Sequence, residues 1–140
     1  MKFSMMILPV LLIITGCTAI STLSTADKNL AYKDYITTNN LASKNKIVTF
    51  NFTGWQSLTT DYLIISSFAN KKYLLEINGY CNDLNYDHTI YIHQSTSTIL
   101  SARFDSISTA SNPQLKCFIK TIYPINKAQA KEIVAIGKPL

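Results

Sequence analysis

Asp83, Asp87 and His88 are the residues of this 140-residue chain whose types and spacing come nearest to chemistry. Two carboxylates and an imidazole so close along the chain can divide acid and base work between them or polarise a water. A hydrolase-type enzyme built on these three is one reading of the sequence. The plainer and expected one is that Asp83 caps a turn, His88 opens a strand, and neither does chemistry. The other histidine, His93, follows on the same strand. At that spacing the two imidazoles point to opposite faces, so a joint metal site would need a bulge. No metal and no cofactor is expected. There is no G-x-S-x-G and no H-E-x-x-H, and with 4 glycines in all the chain has no glycine-rich phosphate loop. Arg103 and Asp105 are expected to share a strand face as a surface ion pair, which contributes little. The 8 tyrosines and 1 tryptophan are the richer clue. An aromatic ring offers contact area at low entropy cost and a phenol adds a hydrogen bond, which suits a glycan or protein partner. Tyr91 and His93, outward on one strand, join Asp83, Asp87 and His88 as the candidate binding surface. Tyr73 and Trp55 are expected in the core.

Three cysteines remain, Cys17, Cys81 and Cys117. The first follows Lys2 and an apolar run from Met5 to Ile14. That run is too short to cross about 30 Å of hydrocarbon, which takes about 20 helical residues, and it suits a cleaved leader. Ile14-Thr15-Gly16-Cys17 resembles the lipobox of bacterial lipoproteins, in which small residues precede a cysteine that is acylated on sulfur before the leader is cut. The commonest form has Leu where Ile14 stands and Ala or Ser where Thr15 stands. The resemblance implies that residues 1–16 are a signal peptide and that Cys17 carries palmitate or similar chains. At about 0.8 kcal/mol per buried methylene, several such chains anchor a protein stably. Thr18 stands where an aspartate would signal retention in the inner membrane, so the implied address is the periplasmic face of the outer membrane. With Cys17 lipidated in an oxidising compartment, Cys81 and Cys117 are expected to form a disulfide. They lack the C-x-x-C spacing of a redox pair.

Patterning sets the elements that must position these groups. Residues 17–46 read as the lipidated cysteine, a polar tether, and a short helix from Ala26 to about Ile36, capped by Thr25 with Leu30 and Asp34 on one face. Residues 47–140 read as one globular β domain. Ile47–Phe52 alternates as a half-buried strand and Gly54 allows a bulge. Tyr62–Ser66 is apolar on both faces, hence central; Asn70-Lys71 turns it into Tyr73–Ile77, and Asn78-Gly79 allows a reversal. Strands are further expected at Thr89–His93, at Ile99–Phe104 with Leu100, Ala102 and Phe104 on one face, and at Leu115–Tyr123, ended by Pro124. Asn126 caps a closing helix Lys127–Ile136. The fold class is mainly β (α+β): a six-stranded antiparallel sheet curled into a small barrel or sandwich, with a short C-terminal helix. The net charge of +5 is mild. Lysines such as Lys28, Lys44, Lys71 and Lys116 are scattered rather than ranged along one helix face, so nucleic acid is not an expected partner, whereas anionic lipid or cell-wall polymer suits such a balance.

W-x-S-L with D-Y-L-I-I, then K-Y-L-L-E-I, C-N-D-L, R-F-D-S-I and C-F-I-K-T-I-Y, in this order after the lipobox, resembles an uncharacterised family of small proteobacterial lipoproteins, a domain of unknown function. The likeness runs from about Ile47 to Ile136, its most specific pieces being Tyr73-Leu74-Leu75, Cys81, Asp83, Leu84 and Cys117-Phe118-Ile119. That family has no assigned activity, so the resemblance bears on fold and location. The expected function is that of a non-enzymatic accessory or binding module, joined to the membrane through Cys17 and taking an envelope protein or a cell-wall glycan as partner.

Overall fold

The computed structural model describes residues 16, 22–79 and 81–138; the leader and Cys17 lie outside the described residues. In chain order the elements are α1 (Thr25–Thr38), β1 (Lys46–Ile47), β2 (Phe52–Ser57), β3 (Tyr62–Ser67), β4 (Lys71–Asn78), a 3-10 helix (Asn82–Asn85), β5 (Ile90–His93), β6 (Leu100–Ser101), β7 (Ser106–Thr109), β8 (Cys117–Ile125) and α2 (Lys127–Ile136). Six strands form one antiparallel sheet in the order β2-β3-β4-β8-β7-β5, curled into a half-barrel, while β1 and β6 pair separately.

The sheet has two apolar faces because β3 and β4 are apolar at successive positions. Their register places Leu63 opposite Leu75 and Ile64 opposite Leu74. With a side-chain period of two, Leu63, Ile65, Tyr73, Leu75 and Ile77 enter the concave core with Ile107, Ile119 and Ile122. Tyr62, Ile64 and Leu74 enter a second core under the helices, with Tyr32 of α1 and Ala130 and Ile133 of α2. Each fully buried Leu or Ile contributes about 1.5–3 kcal/mol relative to exposure. Ile119 and Ile122, three apart on β8, share the concave core because the β4–β8 register shifts between Glu76 and Ile77, leaving Lys120 as the extra residue of a bulge. The β3–β4 hairpin turns through Ala69 and Asn70, both at positive φ. The Tyr62 hydroxyl is buried in the convex core without a hydrogen-bond partner.

Several local expectations yield to tertiary structure. The strand expected over Ile47–Phe52 is broken at Thr49, whose φ of 59° is a left-handed conformation that a β-branched residue rarely adopts. Phe50 there turns inward and donates its N–H to the Thr98 carbonyl, and Val48 is left 62% exposed. The strand expected over Ile99–Phe104 stops at Ser101. Arg103 has φ 71°, Phe104 is 74% exposed, and a strand the patterning missed, β7, begins at Ser106. The cause is Asp105, which is fully buried and accepts from the Ser95 N–H at 2.7 Å, the Ser95 hydroxyl at 2.8 Å and the Ser101 N–H at 2.6 Å. The expected Arg103–Asp105 surface pair is therefore replaced by a buried carboxylate that holds two loops. Pro124 does not end the last strand, since β8 continues to Ile125. It lies beyond Phe118, where β7 leaves β8, an edge-like position at which proline is tolerated. Ser24 rather than Thr25 caps α1, and the helix turns Tyr32 inward and leaves Leu30 60% exposed. That helix, expected within the tether, packs on the convex core.

Cys81 and Cys117 are bonded, with Cα atoms 5.9 Å apart, at a separation of 36 in sequence. The bond fastens the segment after β4 to the first residue of β8. A loop of that length corresponds to about 4 kcal/mol in the chain-entropy account. Cys81→Ser is expected to cost about 2–4 kcal/mol in urea unfolding, and the double substitution with Cys117→Ser about the same, because one bond is lost in both cases. Additive losses would contradict the bond. Asp105→Ala is expected to cost about 3 kcal/mol by the same measurement, since it leaves two backbone N–H groups without their acceptor. A loss within the error of the extrapolation would show that water replaces the carboxylate.

Candidate functional site

The sequence-predicted residues lie in the segment that follows Gly79, whose φ of 100° lets the chain leave β4. Asp83 sits in the first turn of the 3-10 helix, and its carbonyl accepts from the N–H groups of Tyr86 and Asp87. The Asp87 carboxylate accepts from the Thr89 N–H at 3.2 Å and from the Ser111 N–H at 2.7 Å, so it clamps the start of β5 to the loop after β7. Hydrogen bonds from Ser111, through its side chain and then its backbone, followed by those from Thr89 and His88, hold the Asp87 carboxyl down to about 2. His88 contributes its carbonyl, which accepts from the Trp55 indole N–H at 3.2 Å, while its side chain is exposed. Among the described residues the three share a segment, yet no hydrogen bond joins their side chains to one another. Tyr91 is exposed on β5, and His93, two residues on, is half-buried with Nε2 2.7 Å from the Ser108 hydroxyl of β7. No group of three His, Cys, Asp or Glu able to hold a metal occurs among the described residues.

What sequence reasoning missed lies on the other side of the sheet. A groove of about 460 Å³ runs between α2 and the convex surface of β2–β4, within the ~300–1,000 Å³ usual for ligand sites. Its apolar surface comes from the half-buried Val134 and the exposed Ala135 of α2, over the buried Ile64 of β3 and Ala130, and Trp55 of β2 borders it. Its rim carries Lys72, Lys127, Lys131 and Lys138. The placement follows from the helix phase. Asn126 accepts from the Gln129 N–H at 2.7 Å while the Gln129 side chain accepts from the Asn126 N–H at 2.9 Å. This capping box contributes about 1 kcal/mol and fixes where the helix starts. Ala130 and Ile133 then face the sheet and Lys127 and Lys131, one turn apart, face the groove. Lys72 reaches in from β4 and donates to the Ser66 hydroxyl, its β3 neighbour, at 3.0 Å.

Lys72 also borders a second cleft, of about 350 Å³, with Lys44, Lys46 and Lys71. The two clefts together take seven of the 13 Lys and Arg residues, and no Asp or Glu lines either. Lysines scattered along the sequence are thus gathered by the fold, and two of them, Lys127 and Lys131, share a face of α2. The acidic groups are engaged elsewhere. Glu76 pairs with Lys120 at 3.0 Å, and Glu132 accepts from the Tyr35 hydroxyl, tying α2 to α1 away from the groove. Burial first, then the bond and charge of Glu132, push the Tyr35 hydroxyl up to about 12. The spacing of Lys127 and Lys131 was the one signal in the sequence for this site.

A family model described as "Family of unknown function (DUF6491)" matches residues 1–135, and the chain belongs to that family. Comparisons with curated proteins and with solved structures each found no match.

The Asp87 clamp has a defined acid limit. A carboxyl whose folded value is lowered from 3.8 to about 2 contributes stability that is fully present above the unfolded value and is lost as pH falls through the folded one. The Ser111 and Thr89 amide protons, followed by NMR during acid titration, are expected to shift with a midpoint near 2. A midpoint at the ordinary 3.8 would mean that the clamp is open in solution.

Proposed function

We propose that this chain is an envelope lipoprotein, held by acyl chains on Cys17 at the periplasmic face of the outer membrane, and that it works there as a non-enzymatic binding module. The observation that carries this reading is the order of features: a charged start, a short apolar run, Ile14-Thr15-Gly16-Cys17, and then a body closed by a buried disulfide. Such a bond persists in oxidising compartments, where a processed lipoprotein of this kind resides. In this reading residues 1–16 are removed, and a short tether joins Cys17 to α1, which packs on the body. Between Cys17 and Thr25 the chain can extend at most about 28 Å, so the body stays close to the bilayer.

Binding rather than hydrolysis fits the use made of the acidic groups. A hydrolase built on Asp83, Asp87 and His88 needs a free carboxylate aimed at a common point with the imidazole. Asp87 instead spends both oxygens on backbone N–H groups. The basic groove, by contrast, offers charge and apolar surface, and no Asp or Glu among the described residues lines it. Tyr91, on the opposite edge of the sheet, remains an exposed aromatic suited to an envelope protein or glycan.

Cys17→Ser tests the anchor. The variant is expected to leave the membrane fraction or to accumulate as unprocessed precursor, since no helix among the described residues is long and apolar enough to cross a bilayer. A variant cut to the same N-terminus that still fractionates with outer membrane would overturn lipidation at Cys17.

A further inference from the structure

We propose that the groove between α2 and the β3–β4 hairpin is a binding site for an anionic phospholipid, with the headgroup phosphate among the lysines and the hydrocarbon along Val134 and Ala135 of α2. The observations supply two halves of one ligand. Four lysines border a single groove that, among the described residues, no carboxylate lines, which favours an anion. Beside them lie the half-buried Val134 and the exposed Ala135, with the aliphatic stems of the lysines, which a free phosphate or a polar glycan would leave in contact with water. An amphiphile with a negative head satisfies both.

Position supports the same occupant. Tyr35 of α1 bonds Glu132 of α2, and Gly137 lies so close to α1 that a Cβ there would meet the Tyr32 hydroxyl at 2.8 Å, with the Lys28 stem at 3.9 Å. The two helices therefore run antiparallel, and the Lys138 end of the groove sits beside the first turns of α1, where the chain enters the body from the Cys17 side. The choice of a membrane lipid rests on the anchoring proposed above. An anchor at Cys17 brings that end of the groove toward the bilayer, and a basic site then adds the second, electrostatic signal that firm membrane attachment uses.

Val134 of α2 lines the groove and is half-buried, so its methyl signals in NMR report on this site. The full lipidated protein in neutral detergent is titrated in separate arms with short-chain phosphatidylglycerol, short-chain phosphatidylcholine and inorganic phosphate. A saturable shift of the Val134 methyl signals is expected with phosphatidylglycerol only. The double substitution Lys72→Gln with Lys131→Gln is expected to weaken it roughly tenfold or more. Should that variant melt early, Lys127→Gln with Lys138→Gln makes the same test on two exposed positions, one opening α2 and one just past its end. Equal response to phosphatidylcholine, saturation by phosphate alone, no saturable change, or undiminished affinity in folded variants would each overturn the site. Because the titration is read in detergent, its failure leaves the Cys17 anchor standing, and a failed anchor leaves the titration standing.

Discussion

The pairing of β3 with β4 and of β4 with β8 is the constraint on which the molecule depends, because these strands divide their side chains between two cores. Leu63 and Leu75 face the concave side and Ile64 and Leu74 the convex side, within the same pair of strands. A slip of one residue would exchange every member of the two sets. Three devices hold the register. Ala69 and Asn70 fix the hairpin, the bulge at Lys120 keeps both Ile119 and Ile122 on the concave side, and the Cys81–Cys117 bond ties the start of β8 to the segment leaving β4. The helices can then be modest, since their Tyr32 and Ile133 need only cover a face that the sheet has already defined.

The carboxylates follow a common pattern. Asp105 and Asp87, at opposite ends of the β5–β7 pair, each accept from backbone N–H groups of two segments and so set loop geometry. Asp61 accepts from the Asn29 amide, linking α1 to the turn before β3. With the acidic groups drawn into the frame in this way, the lysines of α2 and of the strand ends face outward without compensation. The positive clefts are in that sense a by-product of how the loops are built as much as of where the lysines lie.

The parts of the fold legible in sequence were those decided locally. The β3–β4 hairpin announces itself by an apolar run, a turn pair and a second apolar run, and α2 by Asn126 and the period of Ala130, Ile133 and Val134. The failures arose where a distant partner decides. Nothing within Ile47–Phe52 shows that Phe50 will donate to Thr98, and nothing near Arg103 shows that the next carboxylate will be buried against Ser95. The candidate site divides the same way. Asp83, Asp87 and His88 were visible as a cluster because they are neighbours in sequence, and the fold gives Asp87 a structural task. The groove was invisible because Lys72 and Lys131 are brought together only by α2 returning over the sheet.

The curled sheet never closes. Its outermost strands, β2 and β5, each have a ladder partner on one side only, and across the gap the links are side chains: Trp55 to the His88 carbonyl at 3.2 Å and Ser57 to Asn85 at 3.5 Å. Opening along this seam breaks no ladder hydrogen bond, so it is the least costly fluctuation of the body, and amide exchange in the concave core should enter from there. The convex core has no such seam, because α1 and α2 are laid across it and joined to each other at Tyr35 and Glu132. The domain thus has a compliant side, where the exposed Tyr91 lies, and a stiff side, where the lysines are held at fixed spacing.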